Sequence, residues 1–296
     1  MSMPRKHHFI PAFYQRAWTD ADGTLVEYSR PRDIVKCRPK TPAATGWERD
    51  LYAFPELPPE AAQHIEAKFF QYADDAASQA LACLLAGNKT PWTVESRSAW
   101  SRFLIAIHVR HPDAMKELRP AVRTIWEDSA EASQREYERT RQPDFPPTFD
   151  EYWAQRDPLL PIKVHVNMII KALDNKTVGA HINGMNWYIL DVSKASERLL
   201  TSDRPVEMSQ LLQPTGVAAI PISPTQLFVA ANDMSTIHSL IRTNPQDIVR
   251  NVNTWVASRA RRYVYSDSEA LTDFISRTMS TNLEKLPLFP NLTRVA

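Results

Sequence analysis

The chain has 296 residues, 43% apolar and 23% charged, the composition of an ordinary globular protein with enough apolar material for a substantial core. Its 35 Lys and Arg balance 34 Asp and Glu, so no overall field draws a polyanion, and any nucleic-acid surface is a local patch. Only six glycines stand against 23 prolines, each glycine alone in its segment, which excludes the clustered-glycine loops of dinucleotide-binding folds, P-loop proteins and protein kinases.

In chain order, the basic start Arg5-Lys6-His7-His8 is followed by Pro11, Tyr14, Gln15 and Arg16 instead of an apolar run, so no secretory signal is read there. Asp22-Gly23 separates Ala17-Trp18 from the alternating run Leu25-Val26-Glu27-Tyr28, a short strand or hairpin within an irregular arm, residues 1–58. Good helix formers then continue to Ala86, with Gly87-Asn88 as the stop and Ile65, Phe69, Tyr72 and Ala76 as the apolar stripe. Thr93 caps a second helix whose Trp100, Phe103, Leu104, Ile107 and Val109 cover more than one face, as in a central core helix. Pro112 opens a third, polar helix running to Thr140, with an early stripe of Leu118, Val122, Ile125 and Trp126.

A proline-rich linker, residues 141–147, precedes a short aromatic helix around Phe149, Tyr152 and Trp153, and another helix spans Pro161 to Leu173. After about residue 175 the texture changes. Trp187 to Val192, Leu199 to Thr201, Val217 to Ile222 and Gln226 to Ala230 are short apolar runs bounded by turn residues, which predicts a small sheet. Asn244-Pro245 begins a last helix, to about Arg261, and Tyr263-Val264-Tyr265 has strand character. The expected fold is α+β in a single domain, 1–296. A helical part, 59–175, with four to five helices packs on a mainly antiparallel sheet formed by 176–296, which the N-terminal segment joins.

Four places carry candidate chemistry. In Lys6 to Arg16 the adjacent His7 and His8 point opposite ways if the segment is extended, so one can face a site while the other packs. In Thr201-Ser202-Asp203-Arg204-Pro205-Val206, Asp203 either orients a histidine or ligates a metal, or it satisfies its own backbone in a turn. The last helix places Asn253, Ala257, Ala260 and Arg261 near one face with Arg259 and Arg262 beside them, suited either to holding phosphate or to balancing the helix dipole. Arg102 and His108 meet the loose spacing of helical RNases of the HEPN superfamily, but six residues separate the side chains by about 120° around the helix. Arg110-His111-Pro112 stands at a helix end, where a cation is favoured in any case, and Glu66 flanks the first stripe. Cys37 and Cys83 have no CxxC partner, which removes thiolate zinc sites and a disulfide framework and fits a reducing cytosol.

Together these islands resemble a bacterial family known as domain of unknown function 4238. The resemblance rests on Lys6-His7-His8-x-x-Pro11-x-x-Tyr14-Gln15-Arg16, with Gln15 in place of a leucine, and on Ile65-Glu66 and Arg110-x-Pro112. It continues through Thr201-Ser202-Asp203-x-Pro205-Val206, and Asn253 with Ala260-Arg261-Arg262-Tyr263-Val264-Tyr265. It implies one family domain and brings no activity with it. Polar residues shared as motifs imply one composite site: His7, His8, Asp203 and Asn253 as catalytic candidates, and Arg16, Arg110, Arg259 and Arg262 as anion holders. If a divalent metal takes part, Asp203, Glu66 and His8 are its ligands. The expected activity is that of a cytoplasmic hydrolase of phosphodiesters, a nuclease or toxin-like effector, with a nucleic acid or nucleotide-like anion as partner and no membrane. The alternative is a non-catalytic module that binds an anion.

Overall fold

A computed structural model of the chain describes residues 5–54, 57–58, 65, 69–89, 91–157 and 159–280. The arm contributes β1 (Lys6–His8), one helical turn α1 (Ala12–Gln15), β2 (Leu25–Ser29), β3 (Lys36–Lys40) and β4 (Trp47–Arg49). The helical part contains α2 (Gln71–Leu85), α3 (Val94–Val109), α4 (Pro112–Thr140), α5 (Phe149–Ala154), α6 (Leu160–Leu173) and α7 (Lys176–Gly184). Then follow β5 (Asn186–Asp191), β6 (Thr201–Ser202), β7 (Glu207–Ser209), β8 (Val217–Ser223), β9 (Gln226–Ala231), α8 (Met234–Arg242), α9 (Pro245–Arg259), β10 (Tyr263–Ser266) and α10 (Thr272–Thr278).

The α+β class and the helix-first order stand, with two corrections. Leaving aside the single turn α1, nine α-helices are present among the described residues, where four or five were expected for the helical part. The additional ones include α7 and α8, short segments that single-sequence periodicity does not reveal. The sheet is also not one but three: a β1–β4 ribbon and two four-stranded sheets, ordered β3-β2-β10-β6 and β5-β9-β8-β7, with every pairing antiparallel. The N-terminal segment does join the C-terminal strands, since β2 pairs with β10 in the register Tyr28 to Val264 and Glu27 to Tyr265.

The β5-β9-β8 sheet explains the continuous apolar runs of the second half. Along β9, Phe228 and Ala230 enter one hydrophobic cluster while Leu227, Val229 and Ala231 enter another, as the two-residue period of a strand requires. The first cluster holds the helical part, with Trp18, Trp100, Phe103 and Trp187. The second holds α9, through Ile248, Val249, Val252 and Val256, together with Tyr28 and Val264. A strand buried on both faces has no polar side to alternate.

Helix boundaries follow local chemistry. The Thr93 hydroxyl accepts from the Ser96 N–H (3.2 Å), as the cap reading expects, and Asn244 caps α9 by accepting from the Gln246 N–H (3.0 Å). The start of the first helix falls largely outside the described residues, as does Glu66. Its stripe is shifted: Ile65 and Phe69 are buried, but Tyr72 is 66% exposed and the buried face continues as Ala73, Ala77, Ala80, Leu81 and Leu84. Residues 69 and 70 form a π-type turn, whose extra residue rotates the following face by one position. In α4, Val122 is buried but Ile125 is exposed.

Candidate functional site

The junction of α3 and α4 is where the motif islands meet. Arg110 ends α3, His111 caps α4, Pro112 fills its first position and Asp113 its first turn. Each of the three polar side chains reaches a different element. Arg110, fully buried, donates to both carboxylate oxygens of Asp74 on α2 (3.1 and 2.8 Å) and lies 4.7 Å over the Phe70 ring. A buried guanidinium is tolerable only when paired and bonded in this way. Asp113 approaches the Arg261 Nε at 3.7 Å.

His111 reaches Asp203, its Nε2 lying 3.3 Å from Oδ2. Its Nδ1 accepts from the Asp113 backbone N–H (3.1 Å), so in the neutral ring the proton sits on Nε2, which donates to the carboxylate. Asp203 closes β6 and is 1% exposed. Oδ1 accepts from the Arg261 N–H (2.9 Å), and Oδ2 accepts from the N–H groups of Arg262 (2.6 Å) and Tyr263 (3.4 Å). Successive backbone N–H groups converging on one carboxylate form an anion-holding nest, here occupied by the protein's own side chain. Both alternatives posed for Asp203 therefore meet in one residue: it orients a histidine, and it satisfies backbone, although the backbone of Arg261 to Tyr263 and not its own turn. An oxygen pair committed to these donors is not disposed to ligate a metal. Among the described residues no group of three or more His, Cys, Asp or Glu side chains is placed to hold one.

The two adjacent histidines do point to different neighbours. β1 pairs with β4, His7 opposite Glu48 and His8 opposite Trp47, and Gly46 anchors its end by accepting from the N–H groups of Phe9 (2.8 Å) and Ile10 (3.1 Å). His7 is buried, stacks on Tyr52 at 5.0 Å and accepts the Tyr52 N–H at Nδ1 (3.2 Å). Tyr52 stacks in turn on Phe70 at 4.2 Å, so a chain of ring contacts links His7 to the residue beneath Arg110. His8 is half-buried, and its Nε2 is fully buried without a hydrogen-bond partner. Burial holds the His8 imidazole below the ordinary histidine range. The positive charges of Lys6 and Arg110 act in the same direction, and the Ala43 backbone and Asp74 oppose them.

Phe9, not a histidine, is what the arm brings to the Asp203 centre: its ring meets His111 edge-on at 5.6 Å and stacks with Tyr263 at 6.4 Å. The histidine at Asp203 is thus His111. The sequence signal was the Arg-His-Pro step itself, which a helix-end cation explains equally well. Asn253 is buried and spent on backbone, accepting from the Leu200 N–H (2.8 Å) and donating to the Arg198 carbonyl (2.9 Å). Three of the four expected anion holders are held by carboxylates: Arg110 by Asp74, Arg262 by Glu48 (2.7 Å) and Arg259 by Glu207. Arg16 is exposed at the surface. Arg102 pairs with Asp174 at 3.1 Å.

Fold and site thus define an α+β protein in which the Arg110–Pro112 and Asp203 motifs and the turn Arg261 to Tyr263 are joined through polar contacts at one helix junction, with Phe9 of the N-terminal motif packed against it. The family model described as "Protein of unknown function (DUF4238)" matches residues 6–270, and the chain belongs to that family. No curated protein and no solved structure matches it. No helix among the described residues is long and apolar enough to cross a membrane.

Proposed function

We propose that the protein is a hydrolase of phosphodiester bonds in which His8 carries the proton. The observation supporting this reading is the buried, unpartnered Nε2 of His8 beside the Arg110–Asp74 pair. A neutral imidazole with a vacant nitrogen is equipped to accept the proton of an attacking hydroxyl at neutral pH. Arg110 is immobilised and neutralised by Asp74, and the positive charge beside the ring that favours a phosphate-bearing substrate is that of Lys6. His111 has no such freedom, because both its nitrogens are engaged; it and Asp203 hold the junction on which Arg110 is mounted.

The test is turnover of bis(p-nitrophenyl) phosphate, single-stranded RNA and duplex DNA by the full chain, compared with His8→Asn. The expected loss is on the order of a hundredfold or more in the variant, with the circular dichroism spectrum unchanged. The wild-type rate should rise with pH through a value below the ordinary histidine range. Stability supplies a second readout of the same group. A folded-state value below the unfolded one lets the unfolded chain take up the proton first. The His8 contribution is therefore whole above roughly 6.5 and is lost as pH falls toward the folded value, a dependence that His8→Asn should flatten. Absence of turnover on all three substrates, or undiminished turnover by the variant, overturns the reading.

A further inference from the structure

Five aromatic rings pack together outside both hydrophobic clusters: Tyr137 of α4, Phe145 of the proline-rich linker, and Phe149, Tyr152 and Trp153 of α5. Tyr152 is their centre, with its centroid 5.2 Å from Phe145, 5.3 Å from Tyr137 and 5.6 Å from Trp153. Of the five only Tyr137 is buried; the other four are half-buried. The arrangement is fixed from both ends, since the Tyr137 hydroxyl donates to the Pro146 carbonyl (2.7 Å) and the Phe149 N–H donates to the Gln134 side chain (2.8 Å). A cation already lies on this face. The exposed Arg156 guanidinium stands 4.1 Å over the Tyr152 ring and 5.5 Å from that of Phe145, and it donates to the Tyr152 hydroxyl. Among the described residues it has no carboxylate partner, and the neighbouring Asp157 pairs with Lys163 instead (2.8 Å).

We propose that this aromatic face is a docking surface for an arginine-bearing basic segment of a partner protein, and that Arg156 holds the place of the incoming guanidinium. An aromatic ring attracts a cation over its face, and the flat guanidinium of arginine adds stacking that an ammonium lacks. The position of Arg156 shows that these rings accept that group. Charge selects the partner. Between residues 144 and 157 four carboxylates stand against Arg156 alone, and Asp144, Asp150 and Glu151 are exposed with no ion-pair partner among the described residues. That excess repels a nucleic-acid backbone, whose bases half-exposed rings would otherwise suit, and attracts a basic segment. Rings held in place before binding cost little to order, and tyrosine and tryptophan are among the side chains on which interface energy concentrates. The inference does not depend on His8 or on turnover, so it stands or falls separately from the proposed hydrolysis.

The experiment is calorimetric titration of the full chain with a hexaarginine peptide at constant ionic strength, with hexalysine and a short single-stranded oligothymidylate as comparison ligands. Wild type should bind hexaarginine saturably and more tightly than hexalysine, and should not bind the oligothymidylate. Tyr152→Ala should weaken hexaarginine binding by about tenfold, whereas Tyr152→Phe, which keeps the ring, should bind at least as tightly as wild type. Arg156→Ala vacates the rings and should tighten binding about threefold, a gain that a misfolded arm cannot produce. Arg141→Ala removes an equal charge from the same exposed arm without vacating a ring, and should stay within about twofold of wild type. Absence of saturable binding by wild type, equal affinity for hexaarginine and hexalysine, or binding of the oligothymidylate in place of the peptides overturns the inference. So does failure of Arg156→Ala to tighten binding, or an equal gain in Arg141→Ala.

Discussion

Asp203 and His8 were both read from the sequence as catalytic candidates, yet their surroundings assign them opposite consequences on substitution. Asp203 gathers three backbone N–H groups and the His111 imidazole, so Asp203→Ala strands buried donors at the turn from α9 into β10. The expected cost is about 3 kcal/mol or more, measured by urea denaturation, and a loss under about 1 kcal/mol would show that the nest contributes little. His8→Asn removes a ring nitrogen that bonds nothing, so its stability at neutral pH should change far less. Gln15 is a third case. It is fully buried, and neither atom of its amide has a hydrogen-bond partner. A leucine, the residue that the resembling motif carries there, removes that desolvation penalty at similar volume. Gln15→Leu should stabilise by about 1–2 kcal/mol, seen as a raised Tm; a lowered Tm would mean that the amide is needed where it is. The identities of these residues were legible in the sequence. Their partners were not, because the contacts link positions as distant as His111 and Asp203, and no local pattern encodes which histidine faces which carboxylate.

Elements were more legible than contacts, and the failures have local causes. Caps at Thr93 and Asn244 and the proline starts of α4 and α9 are short-range chemistry and could be read directly. The stripe of the first helix could not be followed past Phe70, because one extra residue in a π-type turn leaves composition unchanged while rotating everything after it. Strand β1 shows how a single backbone position can govern an element. Gly46 has φ of +65°, and a Cβ there would stand 3.1 Å from the Ile10 Cβ and 3.3 Å from the Ile10 carbonyl oxygen. Its own carbonyl holds Phe9 and Ile10. Gly46→Ala therefore meets both the left-handed penalty and a close contact, and should cost about 1–3 kcal/mol. Because β1 also carries His8, the same variant should lower turnover beyond what its stability loss explains. Measuring both on folded protein separates the effects, and wild-type stability with wild-type turnover would contradict this account of β1.

At the scale of the whole molecule, the expectation of a single domain becomes a question about cooperativity, since the interior is divided into two hydrophobic clusters by the β5-β9-β8 sheet. The division is shared rather than separate: the same strand supplies Phe228 to one cluster and Val229 to the other, so neither cluster can lose its packing without disturbing the backbone that shapes its neighbour. The arm strengthens this coupling, because Trp18 donates to the Leu199 carbonyl (2.9 Å) and the Tyr14 hydroxyl donates to the Pro221 carbonyl (2.7 Å) while receiving the Thr201 hydroxyl. Phe228→Ala should cost about 3–5 kcal/mol, and Val229→Ala about 2 kcal/mol. The decisive quantity is the shape of unfolding rather than either magnitude. Trp18, Trp100 and Trp187 all belong to the first cluster, so tryptophan fluorescence weights that side, whereas far-ultraviolet circular dichroism reports both. If the sheet couples the clusters, Val229→Ala moves the fluorescence and dichroism transitions together to the same lower denaturant concentration, although the lost side chain faces away from those tryptophans. If the clusters unfold independently, the dichroism transition of Val229→Ala broadens or splits while the fluorescence midpoint stays at its wild-type value. In that event the contacts around Asp203 tie together two units that fold on their own.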